Sequence, residues 1–480
     1  LILIALGIFT FMSTLDGSIV NIAMPIMSKE MNISLSRIEW VVSIYLIVIS
    51  ALLMFFGRLG DVIGKSKVFR IGTAIFILGS LLAGINLGLA FLLFARAVQA
   101  IGAAMTMSNS FGITTSTFPI EQRGRAMGVI GTFVALGAVA GPAIGGLILN
   151  YLTWNYIFWI NVPIGIIAVL IGIKSLPHDQ PLAANAPIDW TGAIEFAICI
   201  ITFFFAILRG QERGYLNPLI LGALLIAIIS FILFIHTENH RRHPLLDLSI
   251  FQYANFTLGL IAALLVFING FFYNVLMPYY LVNARGLSSG LAGTLLSIIP
   301  LTMVIFGPVG GFLSDKFGGA KITVIGVTLL LISQFLIMGF NLQTPYWFFI
   351  FASIVTGMGT GLFQSPNNAS VMSAVPHNRL GIAGSVNALA RNLGMILGVT
   401  ISTSALFLLM SAKAHTSLTT YPHGNDQLFI FGMHFSFAIS AGLLAIADII
   451  VIRRWLITRR KTLDCLLYTS PSPRDVEESR

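Results

Sequence analysis

Runs of apolar residues recur along almost the whole chain, separated by short segments that carry nearly all of its charge. A helix needs roughly twenty residues to cross a bilayer core of about 30 Å, so each such run predicts one membrane-spanning helix. Spans are expected at 2–27, 38–56, 68–86, 89–113, 126–149, 156–174, 190–208, 217–236, 256–282, 290–312, 322–340, 346–372, 382–409 and 428–452, fourteen helices in all. Membrane barrels are excluded, because their strands alternate polar and apolar residues over about ten positions.

Composition supports this reading. The 480 residues are 56% hydrophobic and 9% charged, with a mean hydropathy of +0.91, more apolar surface than a soluble fold can bury. An all-α polytopic membrane protein is expected. The net charge of +9 suggests nucleic acid at first sight, but the bases sit in loops. Seventeen Lys and Arg fall in one alternate set of loops and the C-terminal segment 453–461, against six in the opposite set. The positive-inside rule then places both termini in the cytoplasm, within a cytoplasmic (inner) membrane, and no nucleic-acid partner is expected.

The two ends are read separately. Leu1 is not a start methionine and already lies in an apolar run, so a missing natural N-terminus is expected and no signal peptide can be judged. Residues 456–463 form a basic cytoplasmic end. The string CLLYTSPSPRD, Cys465 to Asp475, resembles a translated sequencing adapter, and 464–480 is set aside as an artefact. Cys199 then remains as a small apolar core residue, with no disulfide or cysteine metal site.

An internal repeat appears at an offset of roughly 254 residues. Gly57, Leu59, Asp61 and Gly64 match Gly311, Leu313, Asp315 and Gly318. Asn21, Met24 and Pro25 match Asn274, Met277 and Pro278, and Leu136, Gly137 and Gly141 match Leu393, Gly394 and Gly398. Two parallel six-helix halves, 1–175 and 255–455, are expected to flank a linker with two further helices, 176–254. Duplicated halves with a midplane site are the logic of secondary transporters.

Asp16 breaks the first apolar run, in LDGSIVNIAMP. A charge there costs about 3 kcal/mol on insertion scales, so it is expected to face a cavity or a partner. Arg96 lies about 15 Å deep in the fourth span and Asp16 about 22 Å from the inner end of the first, so both reach the middle-to-outer bundle. A nearby guanidinium and burial act oppositely on a carboxyl's hold on its proton, and a cavity can balance them for proton exchange. A static structural pair fits the same two residues.

The second loop, GRLGDVIGKSK, contains Gly57, Asp61, Gly64 and Lys65. Its glycines permit a tight turn, and Asp61 is expected to accept hydrogen bonds from a neighbouring helix N-terminus. A simple positive-inside turn explains the lysines but not the Asp61 and Asp315 repeat. In the fifth span Gly137, Gly141, Gly145 and Gly146 recur near every fourth position with Pro142 among them. Close helix packing with a bend accounts for these as well as function does.

Together these stretches resemble the major facilitator superfamily. The loop has its G-x-L-x-D-x-x-G spacing, and LLFARAVQAIGAAM resembles its R-x-x-Q-G-x-G element, with Ala100 in place of the first glycine. G-P-x-x-G-G resembles its exporters' antiporter motif, and WNYIFWINVPIG, Trp154 to Gly165, resembles the fourteen-span drug:proton antiporters of the EmrB/QacA type. The resemblance implies a 6+2+6 helix fold exporting lipophilic or cationic drugs with the proton gradient. It implies proton coupling at Asp16 and Arg96 and gating by the Asp61 loop. In a two-membrane source it also implies a periplasmic adaptor and an outer-membrane duct.

Asn21, Gln99, Asn109, Asn274, Gln364 and Asn367 are the polar candidates for the cargo cavity, although helix packing uses the same residue types. Arg391 suits either a cavity or the second half's inner end. Glu195 and Asp448 lie near an inner boundary, where snorkelling, or pairing with nearby bases such as Arg453 and Arg454, is expected. No nucleotide loop, metal motif or catalytic elbow occurs, so no cofactor, metal or enzymatic activity is expected. A transporter of one metabolite and a non-transporting receptor on the same fold are the alternatives.

Overall fold

The computed structural model describes residues 1–469 apart from 34, 119, 178, 180–186, 215, 242–243, 377–378, 417, 419–420 and 423. The described chain is helical nearly throughout. The first part comprises α1 (Ile2–Glu30), α2 (Leu35–Ile63), α3 (Lys65–Ala83), α4 (Leu89–Thr117), α5 (Ile120–Tyr151), α6 (Tyr156–Trp159) and α7 (Asn161–Ser175). Next come α8 (Trp190–Arg213) and α9 (Pro218–His240). The remainder comprises α10 (Ala254–Pro278), α11 (Ser289–Leu296), α12 (Ile298–Phe317), α13 (Gly319–Met338), α14 (Tyr346–Ser373), α15 (Leu380–Ala414) and α16 (Asp426–Thr469).

Among the described residues, thirteen stretches are long and apolar enough to cross a membrane, and each overlaps one expected span. The fifth expected span falls on α5, a 32-residue helix that is not among these thirteen and many of whose side chains lie outside the described residues.

Several expected spans are interrupted, and proline accounts for the breaks. Pro163 has no N–H for the carbonyl of Trp159, and the helix restarts after Ile160 as α7. Pro300 likewise has no N–H for the carbonyl of Leu296, and the tenth span divides into α11 and α12 at Ser297. Beyond Pro278, α10 widens into a π turn over Tyr279–Ala284.

Glycine sets how closely the helices approach. A Cβ on Gly137 would meet the Phe11 carbonyl at 2.5 Å, and one on Gly398 would meet the Ile268 carbonyl at 2.7 Å. The first contact packs α5 on α1 and the second packs α15 on α10. Gly72 and Gly102 similarly join α3 to α4, as Gly326 and Gly359 join α13 to α14. The sequence repeat is therefore also a repeat of helix contacts.

Helix α8 packs along α2, with Trp190 against Phe55 at 5.1 Å and Phe205 against Trp40 at 6.3 Å between ring centroids. Helix α9 turns Leu225, Ile228, Phe231 and Ile232 outward, as a lipid-facing helix does. The segment after α9 folds inward: Leu245, Leu246 and Ile250 are buried in the same core as Met54 of α2 and Val386 of α15. This happens at the end of the bundle that also carries the α2–α3 turn.

Candidate proton and cargo site

Asp16 is wholly buried in α1, and three side chains donate to its carboxylate. Arg96 Nη1 of α4 lies 2.6 Å from Oδ2, while Gln99 Nε2 and Asn161 Nδ2 lie 2.9 and 2.8 Å from Oδ1. The 3-residue spacing of Arg96 and Gln99 puts both on one face of α4. Asn161 reaches in because it opens α7, immediately after the proline-induced break.

A second ring of contacts holds the donors. Arg96 Nε donates to the Val41 carbonyl at 3.0 Å, and Arg96 Nη1 also donates to Gln99 Oε1 at 2.5 Å. Gln99 Nε2 further donates to Ser80 Oγ at 2.8 Å. The Arg96 guanidinium sits 4.2 Å from the Tyr45 ring centroid, a cation–π distance. Arg96 Nη2 has no hydrogen-bond partner among the described residues. A buried pair of this kind costs about 3–5 kcal/mol to break by removing one partner, because the other charge is left buried and uncompensated.

The corresponding places in the second half are neutral. Asn269, at the repeat position of Asp16, donates to Ser440 Oγ at 2.6 Å, and the Tyr273 hydroxyl pairs with Ser353 at 3.0 Å.

Asp61 corrects an expectation. Helix α2 continues through Ile63, so Asp61 pairs with Lys65 four residues on, at 2.8 Å, and among the described residues it caps no other helix. The cap on α3 is Asp179, whose Oδ1 and Oδ2 accept from the amides of Ser66 and Lys67, both at 2.8 Å. Gly64 takes φ +110° at this turn, and Gly318 takes φ +89° at the matching turn before α13. Gly57 packs against Ser385 of α15, which brings the loop region of the first half onto the second.

The glycines of α5 lie on α1 near Asp16. Gly141 faces Ser18 and Gly145 faces Ile19, whereas Gly146 faces open space. The side chain of Pro142 lies outside the described residues.

The six cavity candidates separate into two groups. Gln99 belongs to the Asp16 cluster; Asn109 donates to the Phe56 carbonyl at 3.1 Å and ties α4 to α2. Asn367 donates to the Gly259 carbonyl and accepts from Arg454 Nη1 at 2.7 Å. Asn21 and Gln364 are half-buried and Asn274 is exposed; Asn21 and Asn274 donate to the carbonyls of Gly17 and Gly270, one turn back on their own helices. Asp448 bonds Thr328 at 3.1 Å, and Arg454 bonds Asn367, in place of the expected pairing between them. Arg391 is half-buried, and its Nε has no partner among the described residues.

Sequence reasoning missed Asn161, Tyr45 and Asp179. The signal for Asn161 was a lone amide inside WINVPIG, where an apolar residue continues the run. The other two had no such signal, since a tyrosine in a span and an acid in a polar linker are ordinary.

The family profile described as Major Facilitator Superfamily matches residues 6–263 and 259–465. The riboflavin transporter RibZ of Clostridioides difficile is 37% identical over 422 residues, 87% of this chain and 91% of that protein. The methylenomycin A resistance protein of Bacillus subtilis is 27% identical, covering 91% of this chain and 92% of that one. The crystal structure of a POT family transporter in complex with 5-aminolevulinic acid superposes with a TM-score of 0.66 at 17% identity, over 94% of this chain and 96% of that chain.

Proposed function

Because the chain belongs to the Major Facilitator Superfamily, we propose that it is a proton-coupled antiporter that expels lipophilic or cationic small molecules. The observation that carries this reading is the sequestered cluster of Asp16, Arg96, Gln99 and Asn161. One titratable carboxylate stands there between a fixed cation and two amides, where a proton can replace the ion pair.

A proton entering from the outer side binds Asp16 and releases Arg96, favouring one arrangement of the two halves. Cargo binding from the inside favours the ionised carboxylate. Coupling then follows from the different affinities of proton and cargo for the two arrangements. The α2–α3 turn, with Gly57, Asp61, Gly64 and Lys65, latches the cytoplasmic face, and Asn21, Asn274 and Gln364 offer hydrogen bonds to cargo. The glycines Gly137, Gly141 and Gly145 keep α5 close to the moving α1.

The same reading assigns the chain to the fourteen-span EmrB/QacA type. Residues 1–175 and 255–455 are its halves, joined through 176–254, in a cytoplasmic membrane with both termini inside. In a double-membrane source, a periplasmic adaptor and an outer-membrane duct complete the exit path. The chain acts as a carrier with no catalytic step and no cofactor.

Proteoliposomes test this directly. An imposed pH gradient should drive cargo exchange with the native chain and fail to do so with Asp16→Asn, while counterflow of cargo without a gradient persists. Gradient-driven exchange that survives Asp16→Asn refutes the assignment.

A second reading has one specific support, the riboflavin transporter at 37% identity. In it the cargo is a flavin, a planar aromatic system rimmed by hydrogen-bonding groups that suit Asn21, Asn274 and Gln364. Competition between riboflavin and a panel of lipophilic cations separates the two, since only the first reading predicts that the cations displace one another.

A further inference from the structure

Three acidic side chains gather where α8 begins and α9 ends, far along the chain from Asp16 and at the end of the bundle that carries the α2–α3 turn. Asp189 is the N-cap of α8, its Oδ1 accepting from the Gly192 amide at 3.0 Å. Its Oδ2 lies 4.0 Å from Arg241 Nε. Glu238, in the last turn of α9, is 4% exposed, and its Oε2 accepts from the Leu246 amide at 2.9 Å.

The remaining oxygens of these two carboxyls are buried and lack a hydrogen-bond partner among the described residues. They also face the same place. A methyl group on Gly192 would stand 2.6 Å from Glu238 Oε1 and 3.1 Å from Asp189 Oδ2. Two carboxylates that share one water-poor space do not both ionise, and each orphaned oxygen there carries a desolvation cost. A single proton bound by this pair removes one of the two like charges that meet over Gly192.

The surrounding charges favour that arrangement. Glu195, less than two turns along α8, adds a third acid with a buried, unpartnered Oε2. Arg241 is held by Thr191 and Asp189, and among the described residues no cation pairs with Glu238. On α9 itself His236 and His240 engage one another, with ring centroids 4.3 Å apart. Asp247 of the following linker is taken up by Arg379 and Ser249. Arg58 and Asp61 of α2 line the neighbouring space beyond Leu245 and Leu246.

We infer that Asp189 and Glu238 form a carboxyl pair that binds one proton, a site separate from Asp16, and that this proton seats the linker Leu245–Ile250 against both halves. Glu238 grips the linker through the Leu246 amide, and the linker packs where α2 meets α15, beside Gly57 and Ser385. When the proton leaves to water, two like charges remain over Gly192. They separate by admitting water, and Glu238 lets go of Leu246. The site is independent of which molecule the chain carries.

Infrared difference spectroscopy on the full chain in lipid nanodiscs tests the proton. The native chain at neutral pH should show a protonated-carboxyl C=O band that Asp16→Asn retains and Glu238→Gln removes; absence of the band, or its persistence in Glu238→Gln, overturns the pair. Hydrogen exchange at the Leu246 amide of the native chain tests the linker without any substitution. Its protection, corrected for intrinsic exchange, should fall roughly tenfold as the band disappears with rising pH. Protection that does not change with the band overturns the seating role. Because Asp16→Asn is the control in which the band stays, failure here is distinguishable from failure of the transport reading.

Discussion

The carboxylate of Asp179 occupies the space over Gly64 where a side chain would begin: a Cβ on Gly64 would stand 2.3 Å from its carboxyl carbon. The acid caps α3 only because residue 64 has no side chain and tolerates φ +110°.

Replacing Gly64 therefore does two kinds of damage. Gly64→Ala adds about 1–2 kcal/mol of backbone strain and also displaces the cap, worth about 1 kcal/mol more. Gly318→Ala, at the matching turn, meets nothing within 4 Å and incurs the strain alone. Thermal unfolding in detergent should rank Gly64→Ala below Gly318→Ala, with Asp179→Ala least affected.

Asn161 holds Asp16 from a helix that sequence reasoning did not connect to it. Asn161→Ala removes one donor to the carboxylate without removing the ion pair. Gradient-driven exchange should slow by roughly tenfold, the effect of one hydrogen bond to a charged group, with cargo affinity nearly unchanged. Initial rates and equilibrium binding on the same preparation separate the two quantities.

The glycines of α5 are not equivalent. Gly137→Ala forces a methyl against the Phe11 backbone carbonyl and should cost about 1–3 kcal/mol. Gly146→Ala meets open space and should stay within about 0.5 kcal/mol of the native chain. Paired melting curves check this contrast, and equal losses would dismiss the packing account.

Tyr421 gives an alkaline limit. Its hydroxyl donates to Asp426 Oδ1 at 2.6 Å at the start of α16. Burial first, then that hydrogen bond and the negative charge of Asp426, push the phenol above its ordinary range. A raised value stabilises the fold below the unfolded phenol's pKa of about 10 and is lost as pH rises through the folded value. Stability measured from about pH 8 upward should fall more steeply in the native chain than in Tyr421→Phe.

The helices and the repeat were legible because membrane burial writes itself into long apolar runs, and because matched glycines serve matched contacts, as with Gly137 and Gly394. Asp16 and Arg96 were legible because charge is conspicuous in such runs. Their partners were not, since Gln99 has the same composition whether it lines a cavity or bonds a carboxylate. Only three dimensions place Asn161 beside Asp16, 145 residues away in sequence. Asp61 misled because an acid in a short turn between two helices suits a cap on a helix N-terminus, whereas the capping acid, Asp179, belongs to an unremarkable polar linker.

The uncharged residues that match Asp16 and Arg96 in the second half have an electrical consequence under the proposed mechanism. Asp16 and Arg96 together carry no net charge, so a rearrangement that moves the intact pair across the bilayer feels no membrane voltage. Adding a proton to Asp16 leaves the charge of Arg96 uncompensated, and Asn269 and Ser353 supply nothing to cancel it. A full elementary charge crossing the membrane is worth about 2.3 kcal/mol per 100 mV. On the proposed mechanism, membrane voltage therefore acts on the proton-loaded form through the Asp16–Arg96 site, which lies in the first half.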